Sequence, residues 1–263
     1  PFQKLYNQGM ILAHSYKDEQ GKYHYPDQVK QDGQNWVTKS DNTTVHTQIE
    51  KMSKSRYNVV NPDDVIKAYG ADSMRLYEMF MGPLDRDKPW TDEGVQGVNR
   101  FLRRAWGLFI TEDNTLQARL QASSSSDGLT KVLHKTIKAV THDIENYLFN
   151  TAIARMMEFV NAALKEDSLV QSDAEAFVLL LAPFAPHMAE ELWERLGYSN
   201  TLAYAPWPSY DESLLLENSI EVPVQVNGKK RGRITVPVDA DQATISEIAK
   251  ADEKVAPYFE GKT

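Results

Sequence analysis

Two runs of apolar residues at helical spacing constrain this chain more than any other feature of it. Leu129, Leu133, Ile137, Val140, Ile144 and Leu148 follow one helical period, and Ile153, Met156, Met157, Val160 and Leu164 follow another. A stripe of that kind must be covered by a second element, so helices here imply a packed bundle. Ser172 and Glu175 form a capping-box pattern ahead of Phe177, Leu180 and Leu181. Pro183 and Pro186 interrupt, and a further helix runs through Met188, Leu192, Trp193 and Leu196 to a terminating Gly197. Upstream, Asn61 caps a short helix that starts at Pro62 and ends at Gly70, and Asp72 caps the next; Thr91, Asp92 and Glu93 then start a longer helix reaching about Thr111, with Val98, Phe101, Leu102, Ala105, Trp106, Leu108 and Phe109 on its apolar face. Between them, residues 113–127, ending in Ser123 to Ser126, read as a flexible polar connector. The expectation is a bundle of roughly four or five helices over residues 91–216. Met156 and Met157 are read as core fillers.

The flanks have a different texture. In residues 14–49, Tyr16, Tyr23, Tyr25, Trp36, Val37, Val45 and Ile49 are interleaved with polar residues, and Asp32-Gly33 is a turn pair, so roughly two to four short strands are expected. Residues 1–13 are apolar around Gly9 and ambiguous between strand and helix. Beyond Tyr204-Ala205-Pro206-Trp207-Pro208, Ile220, Val222, Val224 and Val226 alternate with polar residues, as do Ile234, Val236 and Val238, around a hairpin at Asn227-Gly228. A strict two-residue turn would set Val222 against Arg233. A connection one residue longer sets Val222 against Ile234 and Ile220 against Val236, and that register is expected because it keeps one face apolar. It places Arg231 and Arg233 outside, with Lys229 at the tip. Ile245, Ile248 and Ala249 then suggest a short helix. The fold class is mainly α and multidomain: a helical bundle, a small β-rich insertion near the N-terminus and a small α+β unit at the C-terminus.

Composition excludes several functions. There is no cysteine, hence no disulfide and no thiolate metal site. The formal charge of -8, from 29 basic and 37 acidic residues, means that any nucleic-acid contact must come from local basic patches. Three such patches exist: Lys51 and Lys54 beside Ser53 and Ser55; Arg100, Arg103 and Arg104; and Lys229, Lys230, Arg231 and Arg233. A mobile ammonium with three donors suits phosphate oxygens, and three arginines at helical spacing suit a phosphate backbone or a solvated, salt-bridged face. The hairpin cations equally suit an edge protected against aggregation. His187, at a helix start without a partner motif, is read as structural or exposed.

Residues 51–55 read Lys-Met-Ser-Lys-Ser. This resembles the second signature of class I aminoacyl-tRNA synthetases. Asn58-Val59-Val60-Asn61-Pro62-Asp63-Asp64 and the run from Gly70 to Leu84 narrow the resemblance to the bacterial leucyl-tRNA synthetase family, and Leu181 to Trp193 is similar to the anticodon-binding-type bundle of class Ia synthetases.

The resemblance implies a division into a catalytic-domain remnant (1–13), a leucine-specific-type insertion (14–49), the lysine loop with its bracing helices (50–90), the bundle (91–216) and a truncated tRNA-contacting C-terminal domain (217–263). It implies that Lys54 contacts the ATP triphosphate most directly, that Lys51 assists, and that Met52, Ser53 and Ser55 complete the loop, with Mg2+ accompanying ATP, no metal bound by the protein, and leucine and tRNA(Leu) as partners of a cytoplasmic monomer. No histidine stands in the His-x-Gly-His element such enzymes need. Both ends look cut, so the expectation is an inactive piece of a longer ligase. A non-catalytic RNA-binding module, a methionyl, isoleucyl or valyl synthetase fragment, and a helical interaction protein are the alternatives.

Overall fold

A computed structural model describes residues 4–215, 219–237 and 240–258. Expectations that fall on residues 1–3, 216–218, 238–239 and 259–263 lie outside them. The chain divides into two compact units, Pro1–Tyr210 and Asp211–Thr263.

The first unit opens with a sheet built from β1 (Ile11–Asp18), β2 (Tyr23–His24), β3 (Val29–Asp32), β4 (Asn35–Thr38) and β5 (Thr44–Lys51), antiparallel in the order β2-β1-β5-β4-β3. Strand β1 starts at Ile11, so the ambiguous end of residues 1–13 is extended. The strands are also more numerous and longer than expected, because β1 and β5 pair from Leu12↔Lys51 to Asp18↔Val45. Ala13, Val29, Val37 and Val45 are buried in this sheet, and Tyr16 meets Trp36 with ring centroids 5.0 Å apart. The turn pair is Gly33-Gln34, one residue later than Asp32-Gly33, since Asp32 pairs with Asn35 and Gly33 takes φ 62°. At the next turn Asp41 accepts hydrogen bonds from Thr38, Ser40 and the Thr43 amide, which hold its carboxyl down to about 2.

Helices α1 (Pro62–Tyr69) and α2 (Ala71–Phe80) follow. Asn61 caps α1, its Oδ1 accepting from the Asp63 amide at 3.2 Å, and Pro62 occupies the first helical position. The strand β6 (Lys88–Pro89) then pairs parallel to β1 and leads into α3 (Asp92–Phe109), which Thr91 caps. Gly94 lets the first turn of α3 press on Tyr77: a Cβ there would sit 2.2 Å from the ring. The bundle continues with α4 (Asp127–Glu145), α5 (Phe149–Ala163), α6 (Gln171–Leu181) and α7 (Pro186–Arg195). Phe109, Phe159, Phe177 and Phe184 are fully buried at its centre, where Phe159 and Phe177 stack at 5.0 Å. Met156 is buried and Met157 packs against the same core.

Four local expectations change. The connector at 113–127 is held, not free: Ile110 bridges Leu116, residues Ala118–Gln121 form a 3-10 turn with Leu120 buried, and Ser125 Oγ accepts the Val170 amide. The stripe of α4 ends early, because the chain turns at Asn146 and Tyr147 (φ 59°), leaving Leu148 39% exposed. Ser172 caps nothing, since α6 begins at Gln171 after Val170. Asp72 does not cap its own helix either. Gly70 stands at the start of α2, and the Asp72 carboxylate instead accepts the His187 and Met188 amides at the start of α7, at 3.3 and 2.8 Å. His187 therefore has a partner: its Nδ1 lies 2.8 Å from Asp72 Oδ1.

In the second unit β7 (Ser219–Val226) and β8 (Lys229–Pro237) form the hairpin, and α8 (Gln242–Ala251) follows behind the cap of Asp241. Val222 faces Ile234 and Ile220 faces Val236, the register that an apolar face demands. The device is different from the longer connection expected. Val226 pairs with Lys229 across a two-residue Asn227-Gly228 turn, and a bulge at Arg231 supplies the extra residue. Ile234, Val236 and Ala249 form the small core, with Val222, Val224, Ile245 and Ile248 packed on it.

Removing the cap that α2 gives α7 should weaken the bundle. Asp72→Ala is expected to cost about 0.5–2 kcal/mol, the range for losing a helix cap, with Asp72→Asn intermediate. Urea unfolding followed by tryptophan fluorescence checks this; unchanged midpoints would show that the cap carries no load.

Candidate functional site

The lysine loop leaves the end of β5 and is closed within a few residues. Lys51 is the last residue of the strand, Met52 is tucked against the helical core, and Lys54–Arg56 form a single 3-10 turn behind Ser53. Tyr57 stops the turn in a left-handed conformation (φ 56°, ψ 28°). The base of the loop is the buried Asn58. Its Oδ1 accepts the Ser53 amide at 2.8 Å, and its Nδ2 donates to Ala13 O at 3.3 Å and Lys51 O at 3.5 Å. One side chain thereby ties the loop to both central strands of the sheet.

A carboxylate does the same from the other side. Glu50 accepts hydrogen bonds from Ser15 and from Gln48 (3.1 Å) and pairs with Arg56 at 3.0 Å. The Ser15 bond above all, helped by Gln48 and by the Arg56 charge, holds its carboxyl below the usual glutamate range. Arg56 also donates to Lys51 O at 3.3 Å, and the Ser53 and Ser55 hydroxyls lie 2.8 Å apart. None of these bonds uses the ammonium group of either lysine. Lys51 and Lys54 are both exposed, and among the described residues neither forms an ion pair. Lys88 is the contrast: it is buried against Gly82 O at 3.4 Å, and desolvation pushes its amine pKa down.

Arg100, Arg103 and Arg104 are exposed on α3 and form no ion pair among the described residues. Arg103 borders a hollow of about 400 Å3, lined also by Tyr69, Ser73, Asn99, Trp106 and His187. The hairpin cations are less uniform than their sequence suggests. Arg233 is paired with Glu221 at 2.9 Å, and Arg231 lies over the Tyr258 ring at 4.4 Å. Lys229 and Lys230 are exposed at the turn. Among the described residues, no group of three or more histidine and carboxylate side chains is arranged to hold a metal.

The sequence singles out the lysines and serines but not Asn58, Glu50, Tyr25 and Tyr57, which the structure places around them. Tyr25 and Tyr57 stack with ring centroids 4.2 Å apart. The only sequence signal available for them was nearness to the loop or an aromatic in the preceding segment, and neither indicates a partner.

Two families match parts of this chain: the anticodon-binding domain of tRNA ligase over residues 128–247, and the class I tRNA synthetases (I, L, M and V) over residues 40–91, the stretch containing the loop. Leucine--tRNA ligase 1 of Rhizobium johnstonii is 48% identical over all 263 residues, which correspond to 31% of that protein. A solved structure, the LeuRS agnB2 of Agrobacterium radiobacter K84 in a ternary complex with tRNA and LeuAMS, superposes with a TM-score of 0.63 at 28% identity, over 98% of this chain and 31% of that one. The chain thus spans about a third of the length of these relatives.

Because the Glu50 carboxyl is lowered in the folded chain, its bonds stabilise the fold above the ordinary glutamate pKa of about 4.3 and are lost as pH falls through the lowered value. Glu50→Gln should be less stable than the parent at pH 7, and the gap should close in acid. Urea midpoints of the two proteins between pH 7 and pH 3 measure it; a gap independent of pH would remove the charge from the account.

Proposed function

We propose that this chain, 48% identical along its whole length to a leucine–tRNA ligase, serves in such an enzyme as the part that carries the phosphate-binding lysine loop and the tRNA-binding surfaces. The observation that carries the reading is the pair of unengaged ammonium groups, Lys51 and Lys54, on a loop whose own hydrogen bonds are met by Asn58, Glu50 and Arg56.

In the reaction of the whole ligase, a carboxylate oxygen of leucine forms a bond to the α-phosphorus of ATP while the bond from that phosphorus to the bridging oxygen of pyrophosphate breaks. Negative charge grows on the departing pyrophosphate. Lys54, in the 3-10 turn, meets that charge most directly, and Lys51 at the strand end supports it. Cations held in place before charge develops lower a barrier without being reorganised, each such contact typically contributing about 3–4 kcal/mol. Ser53 and Ser55 shape the turn and offer hydroxyls to phosphate oxygens. The acyl group then passes to a ribose hydroxyl at the tRNA terminus, and AMP leaves. The loop presents cations and hydroxyls, and among the described residues no carboxylate cluster stands ready to hold Mg2+.

The exposed faces of Arg100, Arg103 and Arg104 on α3 and of Lys229 and Lys230 on the hairpin supply phosphate contacts to tRNA(Leu). Arg231 and Arg233, already engaged with Tyr258 and Glu221, contribute field more than free donors. A monomeric enzyme in the cytoplasm completes the reading, in keeping with a chain that uses no cysteine.

The test is ATP–pyrophosphate exchange by the complete ligase bearing Lys54→Ala. The expected result is a fall in kcat of about 100- to 1,000-fold, the size of one lost transition-state donor, with the KM for leucine unchanged. An unchanged kcat contradicts the role.

A further inference from the structure

We propose that Tyr25 and Tyr57 are a latch through which the small sheet sets the position of the lysine loop, and that both are positioning residues for the phosphate chemistry; this rests on the reading of Lys51 and Lys54 given above. The two rings stack with centroids 4.2 Å apart and planes 26° from parallel. They come from different elements. Tyr25 follows β2 and precedes the 3-10 turn Pro26–Gln28, where its amide donates to Gln28 Oε1 at 3.3 Å. Tyr57 ends the 3-10 turn that contains Lys54, and its amide donates to Lys54 O at 3.4 Å. The stack is thus the contact on the tip side of the loop, whereas Asn58 and Glu50 hold its base.

Two features make this contact a latch rather than more base. First, it is accessible: Tyr25 is 48% and Tyr57 37% exposed, while Asn58 is 3% exposed. A stack so open to water is weak enough to be exchanged for other contacts. Second, Tyr57 holds a left-handed backbone, φ 56°, that a bulky residue rarely adopts. The stacked ring and the uncommon backbone thus meet at the one residue that closes the turn holding Lys54. Three positions away, Lys54 is free to follow a triphosphate. The base keeps the loop folded in either position, and the latch decides where its tip rests. A segment outside the catalytic chemistry therefore acts on it through one aromatic pair.

The experiment is ATP–pyrophosphate exchange by the complete ligase carrying Tyr25→Ala, Tyr57→Ala, the double variant, and the conservative Tyr25→Phe and Tyr57→Phe, with Lys54→Ala alongside. The latch predicts that either alanine variant lowers kcat/KM for ATP by about tenfold, the scale of one lost aromatic contact. The KM for leucine and the melting temperature should stay where they were, the double variant should be no worse than either single one, and both phenylalanine variants should restore parent kinetics. Tyr57→Gly separates ring from backbone, and should behave like the alanine variants. If alanine at either position leaves ATP kinetics untouched while Lys54→Ala abolishes exchange, the latch is wrong and the phosphate role stands. If the KM for leucine and the melting temperature move together with the ATP terms, the stack is a structural contact only and the latch is again wrong. If Lys54→Ala has no effect, the phosphate reading fails and the latch falls with it.

Discussion

On the proposed reading the loop offers its cations to a ligand, and cations so used cannot also hold its own backbone. Asn58 resolves that constraint. Buried between β1 and β5, it accepts the Ser53 amide and donates to Ala13 and Lys51 carbonyls, so the tightest part of the loop is satisfied by a neutral side chain. Left unpaired, buried amides and carbonyls would each cost about 1–3 kcal/mol, enough to open a loop this short. Arg56 is given to Glu50 and to a backbone carbonyl, which takes the third cation of the loop out of play. Lys51 and Lys54 are what remains.

The same economy extends outward. The sheet that anchors Asn58 receives β6, and β6 delivers the chain to α3. From α2, one carboxylate reaches across 115 residues of sequence to cap α7. The loop is therefore framed by the sheet on its N-terminal side and, through α1 and α2, by the bundle on the other. An acidic chain of formal charge -8 keeps basic groups in small exposed clusters and distinguishes them: Arg231 and Arg233 are partly engaged, while Arg100, Arg103 and Arg104 form no ion pair among the described residues.

The helices were legible in the sequence because burial on one face writes a period into it, and Leu133, Ile137, Val140, Ile153 and Val160 are all in the core. The hairpin register was legible for the same reason, although the bulge at Arg231 that achieves it was not. Capping was legible where cap and helix are neighbours, as at Asn61 and Thr91, although the cap that Asp241 gives α8 was not read. It failed at Asp72 and Ser172, because the letters that cap a local helix are also those that occupy a first turn and reach elsewhere. The lysines of the loop stood out through an unusual run of letters. Their supports did not: Asn58, Glu50 and the Tyr25–Tyr57 pair act between elements, and such pairings leave no periodic trace.

On the proposed reading Lys51 and Lys54 are held open for a triphosphate, whereas Arg56 beside them is tied to Glu50. Acylation of lysines in the complete ligase, read by mass spectrometry with and without ATP and leucine, addresses it directly. Lys51 and Lys54 should react readily in the free protein and be shielded when the substrates are present, with Lys229 and Lys230 unchanged. Equal labelling of Lys51 and Lys54 in both conditions would contradict the account.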